Sequence, residues 1–323
     1  MEAFAYARPT TREEALAQLG ASYNESAILA GGTDLLSLMK NYVVTPKRVV
    51  DIKGVKEFGG LSITRIGATV TLDELAGHAG IQKSFPGLAN AAAAVPSMQI
   101  RNMGTVAGDL LQRPRCWYYR NGFGLLARDA QGKPLVPGGD NRYHAILGNG
   151  GPAYFVNPSS LAPILIALGA QLEIAGGKAT RKVALEKFYR APLDDRDREY
   201  SLAANEIVTA VLLPPGAEEW KTAIYEVREK QALDWPLAAA AVALRMDAGT
   251  VREARIVLGH VAPVPWPAPA AGRSLAGQVV STETAAKAGE AAVEGAHPLS
   301  GNKYKVQLAR VAVKRAILAA GRA

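Results

Sequence analysis

The sequence predicts an α+β protein of three consecutive units, and three observations carry that prediction. A chain of 323 residues is long for one hydrophobic core and points to two or three domains. Short apolar strands alternate with short capped helices through residues 1–175, the pattern of small αβ layers. Beyond them come several strand segments and then two helices. The expected units are residues 1–54, 55–175 and 176–323.

In the first unit, Phe4 to Tyr6 read as a short strand. Thr10 or Thr11 caps a helix through Glu13, Glu14, Ala15, Leu16 and Leu19, closed by Gly20. Ala27-Ile28-Leu29-Ala30 is a brief apolar strand that runs directly into Gly31-Gly32-Thr33-Asp34. Leu35 to Met39 have helical character, and Arg48 to Ile52 form a strand. In the second unit, Ser62 to Ala68 alternate at the strand period. Thr71 caps a helix, with Glu74 at the capping-box position. Gly87 to Val95 carry an Ala-rich helix, Gln99 to Leu111 a glycine-containing strand and turn, Leu161 to Leu168 a helix, and Gln171 to Ile174 a strand. The intervening residues 113–152 are rich in Gly, Pro and Arg and lack a period. Such a connection inside a compact domain is usually functional or mobile. In the third unit, Glu206 to Pro214 and Thr222 to Arg228 are strands. Pro236 to Met246 is apolar throughout and of either type; Val251 to Val257 would pair with it. Helices over Thr282 to Val293 and Lys303 to Ala320 close the chain.

Composition removes several function classes. With 49% hydrophobic and 20% charged residues the chain can bury a full core, so disorder is not expected. Lys and Arg exceed Asp and Glu by 37 to 29, a net +8. That excess stands as single residues without a basic run, which argues against nucleic acid. A single cysteine, Cys116, excludes a disulfide framework and a multi-cysteine metal site, and fits a reducing compartment. Met1 to Arg8 lack the pattern of a signal peptide, and no apolar run is long enough to span a bilayer. The expected location is the cytoplasm, or the periplasm if a partner carries the export signal.

Four segments could carry chemistry. Paired glycines after a strand, as at Ala30-Gly31-Gly32-Thr33-Asp34, let backbone N–H groups approach a phosphate, and Thr33 adds a hydroxyl. The segment is equally an ordinary tight turn; it is neither a Rossmann fingerprint nor a P-loop. Gln99-Ile100-Arg101-Asn102-Met103-Gly104-Thr105-Val106-Ala107-Gly108-Asp109-Leu110 offers a second glycine turn with a threonine, or else a glycine-bent strand. Cys116 beside Trp117, Tyr118 and Tyr119 reads first as a packed thiol. Tyr225 to Leu237 reads as a solvated strand face, although Asp234 and Trp235 could edge an aromatic ligand. The four histidines, His78, His144, His260 and His297, show no metal-ligand spacing.

Taken together, these segments resemble one family across nearly the whole chain. That family is the FAD-binding medium subunit of molybdenum hydroxylases, the xanthine dehydrogenase, carbon monoxide dehydrogenase and aldehyde oxidoreductase group. The matching pieces are Ala30 to Leu35, Ile66-Gly67-Ala68, Gln99 to Thr105, Ala107 to Leu110, Leu258 to Pro263, and Asn302-Lys303-Tyr304-Lys305. Gln112 to Tyr118 resembles the bacterial aldehyde oxidoreductase branch in particular. The resemblance implies a two-lobed, p-cresol methylhydroxylase-like FAD domain: lobe 1 is residues 1–54, and lobe 2 is residues 55–175 with the loop 113–152. An α+β domain of the carbon monoxide dehydrogenase flavoprotein type would follow. It implies a heterotrimer with a large molybdopterin subunit and a small subunit carrying [2Fe–2S] clusters, whose electrons reach the flavin of this chain and then an external acceptor. The implied FAD contacts are Ala27, Ile28, Leu29, Ala30, Gly31, Gly32, Thr33, Asp34 and Leu35 around the pyrophosphate. Thr105, Gly108 and Asp109 form a second clasp, and Ser160, Leu161 and Glu226 complete the set.

Three departures from the family pattern stand out. The aldehyde oxidoreductase branch often holds a [4Fe–4S] cluster on four cysteines after the position of Gly108. Here Cys116 stands alone, with Gly124, Gly138 and Ala153 near the other places, so no such cluster is expected. Ser160 replaces a usual Asp, and Glu226 replaces a Lys common near the flavin. Those two changes motivate a rival reading, a structural subunit that has lost FAD. Other rivals are a purine or other hydroxylase flavin subunit and a free-standing FAD oxidase, for which no base pair of residues is evident.

Overall fold

The computed structural model describes residues 1–177, 179–230 and 234–322. Gln231, Ala232 and Leu233, in the last of the four segments, lie outside them. The first layer holds β1 (Ala5–Ala7), α1 (Arg12–Ala17), β2 (Ser26–Leu29), α2 (Leu35–Lys40) and β3 (Arg48–Asp51). Its three strands form a parallel sheet in the order β1-β3-β2. Thr11 is the α1 cap, and with Glu14 it makes a full capping box that satisfies two otherwise orphaned amides. The helix ends at Ala17, before the expected Gly20.

The second layer begins with β4 (Arg65–Gly67), α3 (Leu72–Gly77), α4 (Ala79–Ser84) and α5 (Pro86–Ala93). Thr71 and Glu74 form the expected capping box at α3. The expected strand at 99–111 is instead a pair of helices, α6 (Met98–Met103) and α7 (Val106–Leu110). Ser97 accepts from the Ile100 amide and Thr105 from the Gly108 amide. The glycine read as a bent strand is therefore a break between two capped helices.

Then come α8 (Trp117–Arg120), α9 (Ala162–Ala167), β5 (Gln171–Ala175), β6 (Thr180–Ala184), α10 (Leu185–Phe188) and β7 (Ile207–Leu212). These strands form an antiparallel sheet in the order β4-β7-β5-β6. That pairing runs across residue 176 and carries the second layer on to β7. The ladder joining β5 to β7 is non-local, so the sequence order did not show it.

The third layer is an antiparallel sheet, β11-β10-β9-β8. It is built from β8 (Lys221–Val227), β9 (Ala238–Asp247), β10 (Thr250–Gly259) and β11 (Trp266–Pro267). It is covered by α11 (Pro269–Leu275), α12 (Thr282–Ala292) and α13 (Tyr304–Ala320). The ambiguous apolar segment is β9. Ala241 and Ala243 face the core shared with the first two layers, while Ala240, Val242 and Leu244 face the helices. A strand buried on both sides loses its alternation, which is why periodicity could not type it.

The loop 113–152 contains the single turn of α8 and an isolated bridge between Arg128 and Pro134, and is pinned at many points. The Asn302 side chain donates to the carbonyls of His144 and Ala145. Lys305 Nζ donates to the carbonyls of Tyr143, His144 and His260 at 2.9–3.1 Å. A small apolar cluster of Leu38, Tyr119, Leu125, Leu126, Ala153 and Phe155 packs beside Cys116. The start of α13 is thus the clamp on this loop.

Two buried histidines make the clamp acid-sensitive. Burial, reinforced by Lys305, lowers His144 to about 4 and His260 to about 3 from the usual 6.5. Below pH 6.5 the unfolded chain takes up protons that the folded chain refuses, so these groups remove stability as pH falls from 6.5 toward 4. Thermal melts over that window should show a shallower acid-side decline in His260→Asn than in the parent chain. Identical slopes would refute it.

Candidate cofactor site

The two glycine turns meet although they are far apart in sequence. A Cβ on Gly31 would lie 1.9 Å from the Met103 carbonyl oxygen and 2.9 Å from the Gly104 Cα. No side chain fits there, so the close approach requires glycine. Gly32 follows at φ +74°, a conformation L side chains rarely adopt. The amides of Gly32 and Thr33 make no backbone hydrogen bond among the described residues. They remain as donors beside the Thr105 hydroxyl, the ingredients of an anion cradle.

Clefts open on both sides of these turns. The first is about 1180 Å³, counting its open mouth, and is lined by Ala27, Ile28, Ala30, Gly31, Gly32, Leu35 and Ala107, among others. The second, about 700 Å³, runs toward Gly104, Asp109 and Ser160. Thr33, Asp34, Thr105, Gly108 and Gln112 stand in both. The result is a two-armed groove with the two glycine turns at its waist. Such a shape suits a ligand with ring systems at both ends and charge in the middle.

Among the expected contacts, Leu29, Leu161 and Glu226 line neither cleft. Leu29 instead packs near Gly32. Leu161 is fully buried in the core, and its amide donates to Asp109. Glu226 is buried against Arg228, and burial pushes its carboxyl up to about 7 against the pull of that guanidinium. Arg228, not Glu226, lines the second cleft. Arg228 is paired with Glu226, and its Nη1 also holds the Ala94 carbonyl at 2.7 Å.

Two carboxylates of the groove, Asp34 and Asp109, are fasteners. Asp34 accepts from the Arg113 amide and from Arg120, each at 2.8 Å, and pairs with Arg115 at 3.1 Å. It anchors the start of the 113–152 loop to the first turn. Asp109 accepts from the Ser159 hydroxyl, the Leu161 amide and the Gln112 side chain. Burial still raises its pKa, the donors opposing. Ser160 is held at the second cleft by this same anchor, its amide 3.4 Å from Asp109.

Sequence reasoning missed several wall residues. Tyr23, with the Arg198 guanidinium 3.8 Å from its ring centroid, stands in the first cleft with Tyr200 and Arg113. The Arg113 guanidinium is buried and paired with Glu199. Arg115, also missed, stacks at 4.4 Å on Trp235, which the sequence did single out with Asp234, in the second cleft. No motif links Tyr23, Arg198 and Tyr200, which converge only through the tertiary fold; the hydrogen bond from Tyr23 to the Leu202 carbonyl is one such link.

Comparison with known proteins fits this groove. Residues 2–216 match the family described as FAD binding domain in molybdopterin dehydrogenase. The chain belongs to the FAD-binding subunits of the molybdenum hydroxylases. Residues 223–320 match the CO dehydrogenase flavoprotein C-terminal domain, so the division between the two matches falls at the start of β8. The aldehyde oxidoreductase FAD-binding subunit PaoB of Escherichia coli K12 is 32% identical over 96% of both chains. The carbon monoxide dehydrogenase medium chain of Hydrogenophaga pseudoflava is 29% identical over 98% of this chain and 96% of its own. Among solved structures, a carbon monoxide dehydrogenase from Hydrogenophaga pseudoflava superposes with a TM-score of 0.76 at 27% identity, covering 99% of this chain and 97% of that one. Quinoline 2-oxidoreductase from Pseudomonas putida 86 gives the same TM-score at 25% identity, covering 99% and 98%. The expected α+β fold, the flavin cofactor and the oxidoreductase class therefore stand.

Proposed function

We propose that this chain is the FAD-carrying electron-transfer subunit of a molybdenum-dependent aldehyde oxidoreductase. The observation that carries the reading is the waist of the groove, where the Gly31-Gly32 and Gly104-Thr105 turns touch between two clefts. The amides of Gly32 and Thr33 and the Thr105 hydroxyl would hold the pyrophosphate. Ala27, Ile28, Ala30 and Leu35 would shape one arm, with Tyr23 and Arg198 across from them. Ser160, Arg228 and Trp235 would border the flavin in the other. FAD there supplies two-electron acceptance and onward transfer in one- or two-electron steps. Arg228, paired with Glu226, would offer hydrogen-bond donors beside that arm.

The partners in this reading are a large molybdopterin subunit and a small [2Fe–2S] subunit. The aldehyde assignment rests on the 32% identity to PaoB and on the segment Gln112 to Tyr118. Nucleic acid has no place in it, and no helix among the described residues is long and apolar enough to cross a membrane. A [4Fe–4S] cluster has no ligand set to occupy: Cys116 Sγ lies 3.1 Å from His144 Nε2, and Ala153 sits in a packed apolar cluster. The test is co-purification with the partner chains. Anaerobic aldehyde should bleach the flavin of the complex and leave that of the separated chain unchanged. An unbleached flavin in an intact complex would contradict the reading. Four irons in the separated chain would contradict the cluster assignment.

A further inference from the structure

The wall of the second cleft contains a charge pair with an unmet oxygen. Glu226 and Arg228 stand two residues apart at the end of β8, so their side chains leave one face of the strand. Both side chains are buried, at 6% and 9% exposure, and they pair with each other. Arg228, Ser160 and Asp109 line the cleft, and Glu226 lies behind them. Its Oε2 accepts from the Arg228 guanidinium, whereas Oε1 is buried with no partner among the described residues. Asp109 is better served: the Ser159 hydroxyl, the Leu161 amide and the Gln112 side chain all donate to it. Two buried carboxylates thus oppose each other across this wall, and Glu226 is the one short of donors.

A buried carboxylate oxygen without a donor is where a proton is readily held. The electrostatics agree. Burial lifts the Glu226 carboxyl to about 7; Arg228 and Ser160 oppose the rise and Asp109 adds to it. Asp109 is itself raised by burial against its donors. His260, within the field of Arg228, is held down to about 3 by burial and stays neutral. Across from Glu226 on β9 stands Ala239, and α5 and α9, packed on the same strand, carry no charged residue. On α13, Arg315 is bound to Tyr225. Lys305, lowered by burial to about 7, is fastened to three backbone carbonyls. Variants at position 226 keep Lys305, so their difference from the parent belongs to the carboxyl.

We propose that Glu226 is a proton-switched counter-charge to Arg228 that tunes the reduction potential of a flavin in the second arm. This rests on the flavin reading above. With Glu226 ionised, the pair is neutral overall. With a proton on Oε1, the guanidinium keeps its charge and stands uncompensated beside the arm, where it stabilises added negative charge. Two electrons and one proton convert the oxidised ring to its anionic reduced form. Glu226 takes up one further proton from solvent and returns it to solvent on reoxidation. Because Glu226 acts through Arg228, it is a positioning residue rather than a catalytic one.

Spectroelectrochemical titration of the full flavin-loaded chain between about pH 8 and about pH 6 tests the proposal, and the flavin content of the same sample reads the flavin proposal separately. Glu226→Gln leaves Arg228 uncompensated at every pH. Its reduced-to-oxidised ratio at a fixed potential should match the parent at the acid end. At the alkaline end it should exceed the parent about 10-fold, equivalent to about 30 mV for a two-electron couple. Adding Arg228→Met removes both charges and guards against a fold weakened by one stranded charge. That double variant should approach the parent at the alkaline end and fall at least ~10-fold below it at the acid end. Infrared difference spectra near neutral pH should show a protonated-carboxyl band on reduction of the parent, absent from both variants. A pH dependence in Glu226→Gln that superimposes on the parent's, in a folded chain with full flavin, would overturn the proposal. So would a parent spectrum without the carboxyl band.

Discussion

Replacing Gly31 with alanine is expected to empty the flavin site. The added methyl would lie 1.9 Å from the Met103 carbonyl oxygen, and that atom is backbone, so the two turns must part. Overpacking of this kind costs about 1–3 kcal/mol. The same displacement opens the waist that brings the Gly32 and Thr33 amides beside Thr105. A loss of 1.4–2.8 kcal/mol in binding corresponds to about 10- to 100-fold in affinity. Flavin per chain after purification reads the effect directly. Gly77→Ala is the control: it lies within α3 and a Cβ there meets nothing within 4 Å, so it should keep its flavin. Full flavin in both variants would mean that the waist is not the binding element.

Glu199→Gln should produce the largest loss of stability. Glu199 is 2% exposed and pairs with the buried Arg113 guanidinium. Its burial raises the carboxyl's pKa, with Arg113 opposing. Removing one member of such a pair leaves an uncompensated buried charge, at a cost of about 3–5 kcal/mol. For a domain of this size the thermal midpoint would fall by roughly 6–20 °C. Arg113 also lines the first cleft, so flavin retention should fall with it. Replacing both partners, Arg113→Met with Glu199→Leu, should recover most of the stability, because an apolar pair leaves no stranded charge. A midpoint within about 1 °C of the parent for Glu199→Gln would show that the pair is not structural.

What the sequence revealed, and what it hid, follows the range of the interactions involved. Thr71 was legible as a helix cap because its partner Glu74 lies three residues on, whereas the first cap was legible only as Thr10 or Thr11, and the structure selects Thr11. The turn at Gly31-Gly32 was legible as a candidate cradle, and its order relative to Gly104 and Thr105 tied it to a family. Their physical contact is a tertiary fact. The segment 99–111 was misread because glycines and threonines mark both bent strands and helix breaks, and only the caps at Ser97 and Thr105 decide between them. The 113–152 loop looked unstructured because its order comes from remote anchors, Asp34 at one end and Asn302 and Lys305 at the other. At the site itself, Glu226 was read as a charge reversal beside the flavin. Arg228 takes the cleft position instead, and strand register alone could not show which of the two faces it. Tyr23, Arg198 and Tyr200 carry no local signal at all.

The central claim is that the groove with its waist at Gly31 and Gly104 holds FAD. The most direct measurement is the absorption spectrum of the purified full chain, followed by release of its chromophore. The account predicts flavin bands near ~450 nm and about one FAD per chain. A colourless chain that stays colourless after incubation with FAD, while melting as a folded protein, would contradict it.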